Sequence, residues 1–157
     1  MRARFFLLMF AVLAVSTALR AADDPFVGTW KLNLAKSKYN PGPPPKSGSN
    51  IFEPAPGGLK LIVRNVDTGG KPTSFERVEL YDAKTHPAHG EGRIGPDAIS
   101  AKRVDPYTIE VTSYKNGKVI THTTRKVSQD GKTMTSTSKG TDAKGQPLDE
   151  LRFFEKQ

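Results

Sequence analysis

The run His86-Pro87-Ala88-His89-Gly90-Glu91 carries the ligand types of a zinc site, two imidazoles and a carboxylate within six positions. Zinc needs rigid, convergent geometry, and such spacing usually works when a helix or a tight knuckle holds it. Pro87 and Gly90 interrupt this run, so it reads as a solvated turn or strand edge. Other reactive constellations are sparse. No serine stands in a Gly-x-Ser-x-Gly motif, and no His-Asp pair can be tied to one. Glu76 and Glu79 fall on opposite faces of an extended segment, which prevents them from working together as acid and base. Gly57-Gly58 and Gly69-Gly70 precede no helix that could cradle a phosphate. Cysteine is absent, and with it any thiol nucleophile, disulfide, thiolate metal site or lipidated cysteine. The pattern points away from catalysis and from a bound metal or cofactor.

The elements that must carry the remaining candidates are strands. Turn signals recur at Gly69-Gly70, Asp82-Ala83-Lys84, Gly95-Pro96, Asp105-Pro106, Asn116-Gly117, Asp130-Gly131 and Lys144-Gly145. Between them lie runs rich in β-branched and aromatic residues: 59–66, 75–81, 99–104, 108–114, 119–127, 132–139 and 148–154. This spacing predicts consecutive antiparallel strands joined by hairpins. The longest helical pattern is one short turn over 32–38. The proline clusters 40–45 and 54–58 are excluded from central strands because proline cannot donate to the ladder. The first reads as a stiff connector lying across a barrel mouth.

Asn-Gly is the strongest two-residue hairpin signal, so Asn116-Gly117 sets a register. Lys115 then faces Lys118, Tyr114 faces Val119, Val111 faces His122 and Ile109 faces Thr124. Alternation gathers Ile109, Val111, Ser113, Ile120, His122 and Thr124 on one face. Thr108, Glu110, Thr112, Tyr114, Val119, Thr121, Thr123 and Arg125 fall on the other. Charges occur only on the second face, so the first is expected to point inward. Its mixture of aliphatic, Ser, His and Thr side chains suits a lumen better than a tight core. The turn at 129–131 supports two registers. The favoured one, with a Gly131 bulge, puts Met134, Ser136 and Ser138 on the face of His122 and Thr124; the other pairs Met134 with Val127.

Composition sets the limits. The chain has 157 residues, 24 basic and 16 acidic. Residues 1–4 are a short basic start, 5–15 an unbroken apolar run and 16–22 a small-residue tail, the order read by export machinery. The uncharged stretch 5–19 is shorter than the roughly 20 residues a spanning helix needs. Cleavage after residue 21 is expected, with residue 18 as the rival point, leaving 22–157 as one domain. That removes Arg2, Arg4 and Arg20, so 21 basic residues face 16 acidic ones, a net charge of +5. This surplus is spread along the chain, as on a solvated surface, and excludes a dedicated nucleic-acid binder. Ile, Leu, Val and Phe make up about 19% of the remainder, enough for a sheet burying one face but lean for a multilayer α/β core.

The expected domain opens Phe26-Val27-Gly28-Thr29-Trp30-Lys31-Leu32-Asn33. Gly28 and Trp30, at the head of a meander of about this length, resemble the Gly-x-Trp motif of the calycin superfamily, which includes lipocalins, fatty-acid-binding proteins and bacterial lipocalin-like proteins. The resemblance implies that Trp30 closes one end of a barrel and stacks on a cation from a late strand, for which Arg152 is the candidate. Thr141-Asp142 echoes a Thr-Asp pair of some lipocalins. The run Ser128 to Thr133 (Ser-x-Asp-Gly-Lys-Thr) is similar to one in small exported bacterial proteins that also open Gly-Thr-Trp-Lys-Leu-Asn. The lipocalin disulfide has no counterpart here.

The resulting expectation is an exported, non-enzymatic, all-β protein: an up-and-down antiparallel β-barrel of eight to ten strands, lipocalin-like, without a stable membrane span. Its partner is a small hydrophobic or amphipathic molecule held in the lumen. The expected wall residues are Ile109, Val111, Ile120, His122, Thr124 and Met134, with His122 orienting polar groups. This reading requires a hollow interior and His122 inside it. The alternative is an envelope or interaction module, filled by its own side chains, whose basic exterior meets anionic surfaces.

Overall fold

The computed structural model describes residues 24–88, 95–142 and 144–157. Ten strands run in chain order: β1 Gly28–Lys38, β2 Ser47–Ala55, β3 Gly58–Val66, β4 Pro72–Leu80, β5 Asp82–Pro87, β6 Ala98–Asp105, β7 Thr108–Lys115, β8 Lys118–Val127, β9 Thr133–Thr141 and β10 Pro147–Lys156. They form one sheet in the order β4-β3-β2-β1-β10-β9-β8-β7-β6-β5, every ladder antiparallel. The first strand pairs with the last, while the ladder stays open between β4 and β5. There β4 packs against β5 and β6 without a ladder. The result is a nearly closed up-and-down barrel, with no helix among the described residues.

Hairpin spacing anticipates the strands from β3 onward, except β5. Two strands fall where none was expected. β2 holds only Ile51 and Phe52 as large apolar residues, and β5 begins inside the Asp82-Ala83-Lys84 turn signal. Ala83 takes a left-handed φ of 61°, and the β5 register shifts between Asp82 and Thr85. Pro54 also belongs to β2 rather than to a loop. The β1 ladder on β2 ends at Gly28 opposite Phe52, so beyond Phe52 one side of β2 is an edge that tolerates proline. The expected helical turn at 32–38 is instead a bulge within β1. Lys36 N–H donates to Asn33 Oδ1 at 3.1 Å, the Ser37 hydroxyl donates to the Asn33 carbonyl at 2.7 Å, and pairing with β10 shifts there.

Residues just before β1 close the lower end. Trp30 and Phe26 are completely buried, and Trp30 Nε1 donates to the Phe26 carbonyl at 2.7 Å. The Phe26 ring meets Phe52 edge-on, and the Arg103 guanidinium lies 5.3 Å from its centroid. Arg103 also donates to Asp24 at 2.5 Å, anchoring the entering chain. The cation over Trp30 is Lys156, 5.0 Å from the ring, not Arg152. Register explains the correction: Trp30 pairs directly with Lys156 on β10, whereas Arg152 pairs with Ser136 further up the wall. The Ser128–Thr133 run is a turn at this same end. The Ser128 hydroxyl donates to Asp130 at 2.5 Å and accepts from Thr133 N–H at 3.0 Å.

The interior of β8 is decided by one residue. The Asn116-Gly117 hairpin begins as expected, with Lys115 opposite Lys118 and Tyr114 opposite Val119. Ser113 then pairs with Thr121, leaving Ile120 without an opposite number. This bulge exchanges the two faces beyond it. Val111 meets Thr123 and Ile109 meets Arg125, so His122 and Thr124 turn outward. On the far side of β8, Val127 pairs with Met134, so the 129–131 turn adopts the less favoured of the two registers.

Candidate ligand chamber

The bulge, read with the ladders, stacks the inner face in rows. Ile109, Arg125, Ser136 and Arg152 form one cross-strand row. Val111, Thr123, Ser138 and Glu150 form the next, and Ser113, Thr121, Gly140 and Leu148 the one nearest the Asn116-Gly117 end. Above the apolar floor of Leu61 and Phe154 these rows line a partly open chamber of 340 Å³. Phe75 and Val63 line its opposite side, with Asn50 and Asn65. Gly95 and Pro96 lie at its margin, as does Asp142, whose carboxylate accepts from Lys144 and Gln146 N–H at 2.8 Å each.

Three arginines face this space. Glu79, with 0% of its surface exposed, holds two of them. Arg125 donates from both terminal nitrogens to the Glu79 carboxylate, at 2.6 and 3.2 Å, and Arg77 donates at 2.6 and 2.9 Å. Burial by itself would raise the Glu79 carboxyl, but the charges and hydrogen bonds of Arg125 and Arg77 overcome it and hold the group at about 2. Burial opposes the charge on Arg125 too, and Glu79 more than offsets that, raising the guanidinium above its usual value. The third, Arg152, donates to Glu150 at 2.5 Å and lies 5.7 Å from the Tyr39 ring. Its Nε and the Tyr39 hydroxyl are buried with no hydrogen-bond partner. Burial pushes the Tyr39 hydroxyl up, keeping it neutral.

The expected wall residues divide. Ile120 lines the chamber, carried in by the bulge beside Thr121. Ile109, Val111 and Met134 are buried in the apolar core rather than on the chamber surface. His122 is exposed, hydrogen-bonded to Thr112 on the outer face at 3.2 Å, and Thr124 shares that face opposite Glu110. Neither contributes to the wall. Ser136 and Ser138 do, together with Arg125, which alternation had placed outside, and Arg152, which the family resemblance had placed at the tryptophan. One sequence signal for the difference exists: Gly140, isolated within a strand, marks a bulge or a close backbone approach. A Cβ on Gly140 would sit 2.0 Å from the Ile120 carbonyl oxygen.

Of the possible metal ligands, His86 pairs with Asp82, its Nε2 2.9 and 3.0 Å from the two oxygens. His89 and Glu91 lie outside the described residues, as does the expected export signal. Among the described residues no three His, Asp or Glu side chains gather as metal ligands. A larger depression, 730 Å³, lies between β1 and β4 and includes Lys31, Ser49 and Arg64. Those three point outward and no buried charge adjoins them, whereas the chamber concentrates the interior charge of the barrel.

No family model matches the chain, and no curated protein sequence is similar to it. Among solved structures it is similar to the zebrafish ileal bile acid-binding protein in complex with cholic acid, with 12% identity and a TM-score of 0.51 over 85% of this chain and 99% of that one. The likeness is one of fold. What the two share is a nearly closed, ten-stranded antiparallel barrel, the architecture that the resemblance carried by Gly28 and Trp30 implied.

Proposed function

We propose that this protein is a non-enzymatic carrier that holds a small, partly apolar molecule in the chamber of its barrel. The observation that carries the reading is the 340 Å³ space between an apolar side, with Phe75 and Val63, and a polar side bearing Arg152 and Ser136. Burial of apolar ligand surface, at about 25 cal/mol per Å², supplies affinity, and the polar side orients the ligand. The fold shared with a protein crystallised with cholic acid supports a site in the lumen. The work falls to Arg152, Arg125 and their neighbours rather than to His122. Native mass spectrometry of protein purified from its source tests this: a retained small molecule, lost on denaturation, is expected. Protein that carries none, and gains no thermal stability from lipophilic or anionic probes, overturns it.

We infer further that the chain is exported and loses residues 1–21. The expected intact mass is that of 22–157, and a full-length mass in mature material overturns this. The alternative, a basic surface for anionic partners, is weakened by charge pairing: Lys36, Lys102 and Lys139 each bridge to an acidic neighbour on the barrel exterior.

A further inference from the structure

Asn116 and Gly117, the loop between β7 and β8, carry a reaction of their own, independent of what the chamber holds. The backbone nitrogen of the residue after an asparagine can attack the side chain at Cγ. The five-membered ring that results spans the asparagine Cα–C bond. Three conditions govern the attack: an uncrowded nitrogen, which glycine supplies by lacking Cβ, freedom of that nitrogen from hydrogen bonds, and a backbone that can turn about the Cα–C bond. The loop meets them. Both residues are exposed with left-handed φ, 50° and 73°, and a Cβ at position 117 would meet nothing within 4 Å. Neither the Gly117 N–H nor the Asn116 side chain has a hydrogen-bond partner among the described residues. Lys115 and Lys118 face each other as like charges, so the strand ends grip the loop weakly. Asp97 Oδ2 accepts from Asn116 N–H at 2.7 Å, which leaves both reacting atoms untouched.

The other asparagines fail these conditions. Asn33 has its side chain bonded to Glu155 and to Lys36 N–H, at 3.1 Å each. Asn40 precedes Pro41, which has no N–H to lose. Asn50 and Asn65 precede the β-branched Ile51 and Val66 inside the β2–β3 ladder. Asp130-Gly131 has similar turn chemistry, yet Gly131 N–H donates to the Ser128 carbonyl at 2.9 Å, and the Asp130 carboxylate accepts from Ser128 and Lys132.

We propose that Asn116 is a site of spontaneous deamidation, and that its isoaspartyl product unpins the β7–β8 hairpin at the chamber rim. The Gly117 nitrogen loses its proton to hydroxide, bonds to Asn116 Cγ and expels the side-chain nitrogen as ammonia. Water then opens the ring at either carbonyl, giving aspartate or isoaspartate, so one water is consumed and one ammonia released. Lys115 and Lys118 favour the anionic nitrogen and Asp97 opposes it, two charges against one. Aspartate suits the same turn. Isoaspartate routes the main chain through its Cβ, adding an atom to a two-residue loop beside Ser113 and Thr121 of the chamber wall.

Timed incubation of the purified protein, native and unfolded in urea, in mildly acidic and mildly alkaline buffer tests this. Cleavage after glutamate then gives a fragment, 111–150, with Asn116 as its only asparagine. Mass spectrometry and isoaspartyl methyltransferase labelling are expected to place the new carboxyl at 116, forming faster in alkali. The native rate is expected within about tenfold of the unfolded one, because mobile loop tips open at little cost. Asn116→Gln, whose ring would need an extra member, is expected to stay unmodified there. A slower native rate, or earlier conversion at Asn33, Asn50 or Asn65, overturns the site. The acidic fraction of aged protein, its isoaspartate measured by the same labelling, is expected to melt below freshly purified Asn116→Asp. Equal Tm values overturn the unpinning.

Discussion

Glu79 on β4 and Arg125 on β8 form a two-point ion pair inside the barrel, 2.6 and 3.2 Å long, between residues 46 apart in sequence. β4 is the strand whose outer edge has no ladder, so the pair ties that edge to the opposite wall. Breaking a buried pair by removing one partner commonly costs about 3–5 kcal/mol, because the surviving charges lose their compensation. Here two arginines would be left.

Glu79→Gln is therefore expected to lower stability by about that amount at pH 7, read by urea denaturation. The acid profile carries the sharper signature. The folded carboxyl sits at about 2, below its unfolded value, so the ionised group stabilises the fold above about pH 4.5. That contribution, about 3 kcal/mol, is lost as pH falls through 2. The gap between wild type and Glu79→Gln should shrink steadily across this window. A constant gap from pH 7 to pH 2 would contradict the assignment.

Gly140→Ala places a Cβ 2.0 Å from the Ile120 carbonyl oxygen at a position with a φ of 143°. The bulge leaves no room to yield, and a loss of about 2 kcal/mol or more is expected. Gly145→Ala is the control, since its φ is 80° but nothing lies within 4 Å. It should cost about 1 kcal/mol. Thermal melts of the two variants give the comparison, and equal losses would remove the close approach as the cause.

His122→Phe should leave both stability and ligand affinity nearly unchanged, within about 0.5 kcal/mol, because the imidazole is on the outer face. A marked loss of affinity in a binding titration would return position 122 to the wall.

Phe26→Ala empties a completely buried ring site beneath Trp30 and removes the contact with Phe52. A loss of about 3–5 kcal/mol is expected. Because Trp30 Nε1 bonds the Phe26 carbonyl, the single tryptophan reports on the plug directly. Its emission should shift to longer wavelength in the variant as water reaches the ring.

How much of this the sequence discloses depends on the range of the interaction. Hairpins are local, and Asn116-Gly117 with the strands around it could be placed from neighbouring residues alone. Trp30 could be assigned to a closed end because its motif is compact. The wall could not, because face assignment in β8 depends on a one-residue bulge whose partner, Gly140, lies on the next strand. β4 is harder still, because the apolar Val78 is exposed and the charged Glu79 is inside. A buried glutamate is affordable only beside Arg77 and Arg125, and Arg125 faces inward only because of the bulge. β2 escaped notice because Ser, Gly, Asn and Pro resemble a loop, and its pairing comes from β1 and β3 rather than from its own side chains.

The unpaired isoleucine at position 120 gives this interior a reading frame. Were Ile120 to pair with Ser113 instead, strict alternation would run on along the strand, expelling Thr123 and Arg125 into solvent and admitting Thr124 and Lys126 in their place. An unchanged composition, slipped by a single residue, would thus furnish a differently charged cavity. What the barrel can hold is encoded in the frame of a strand's pairing as much as in the identity of its residues.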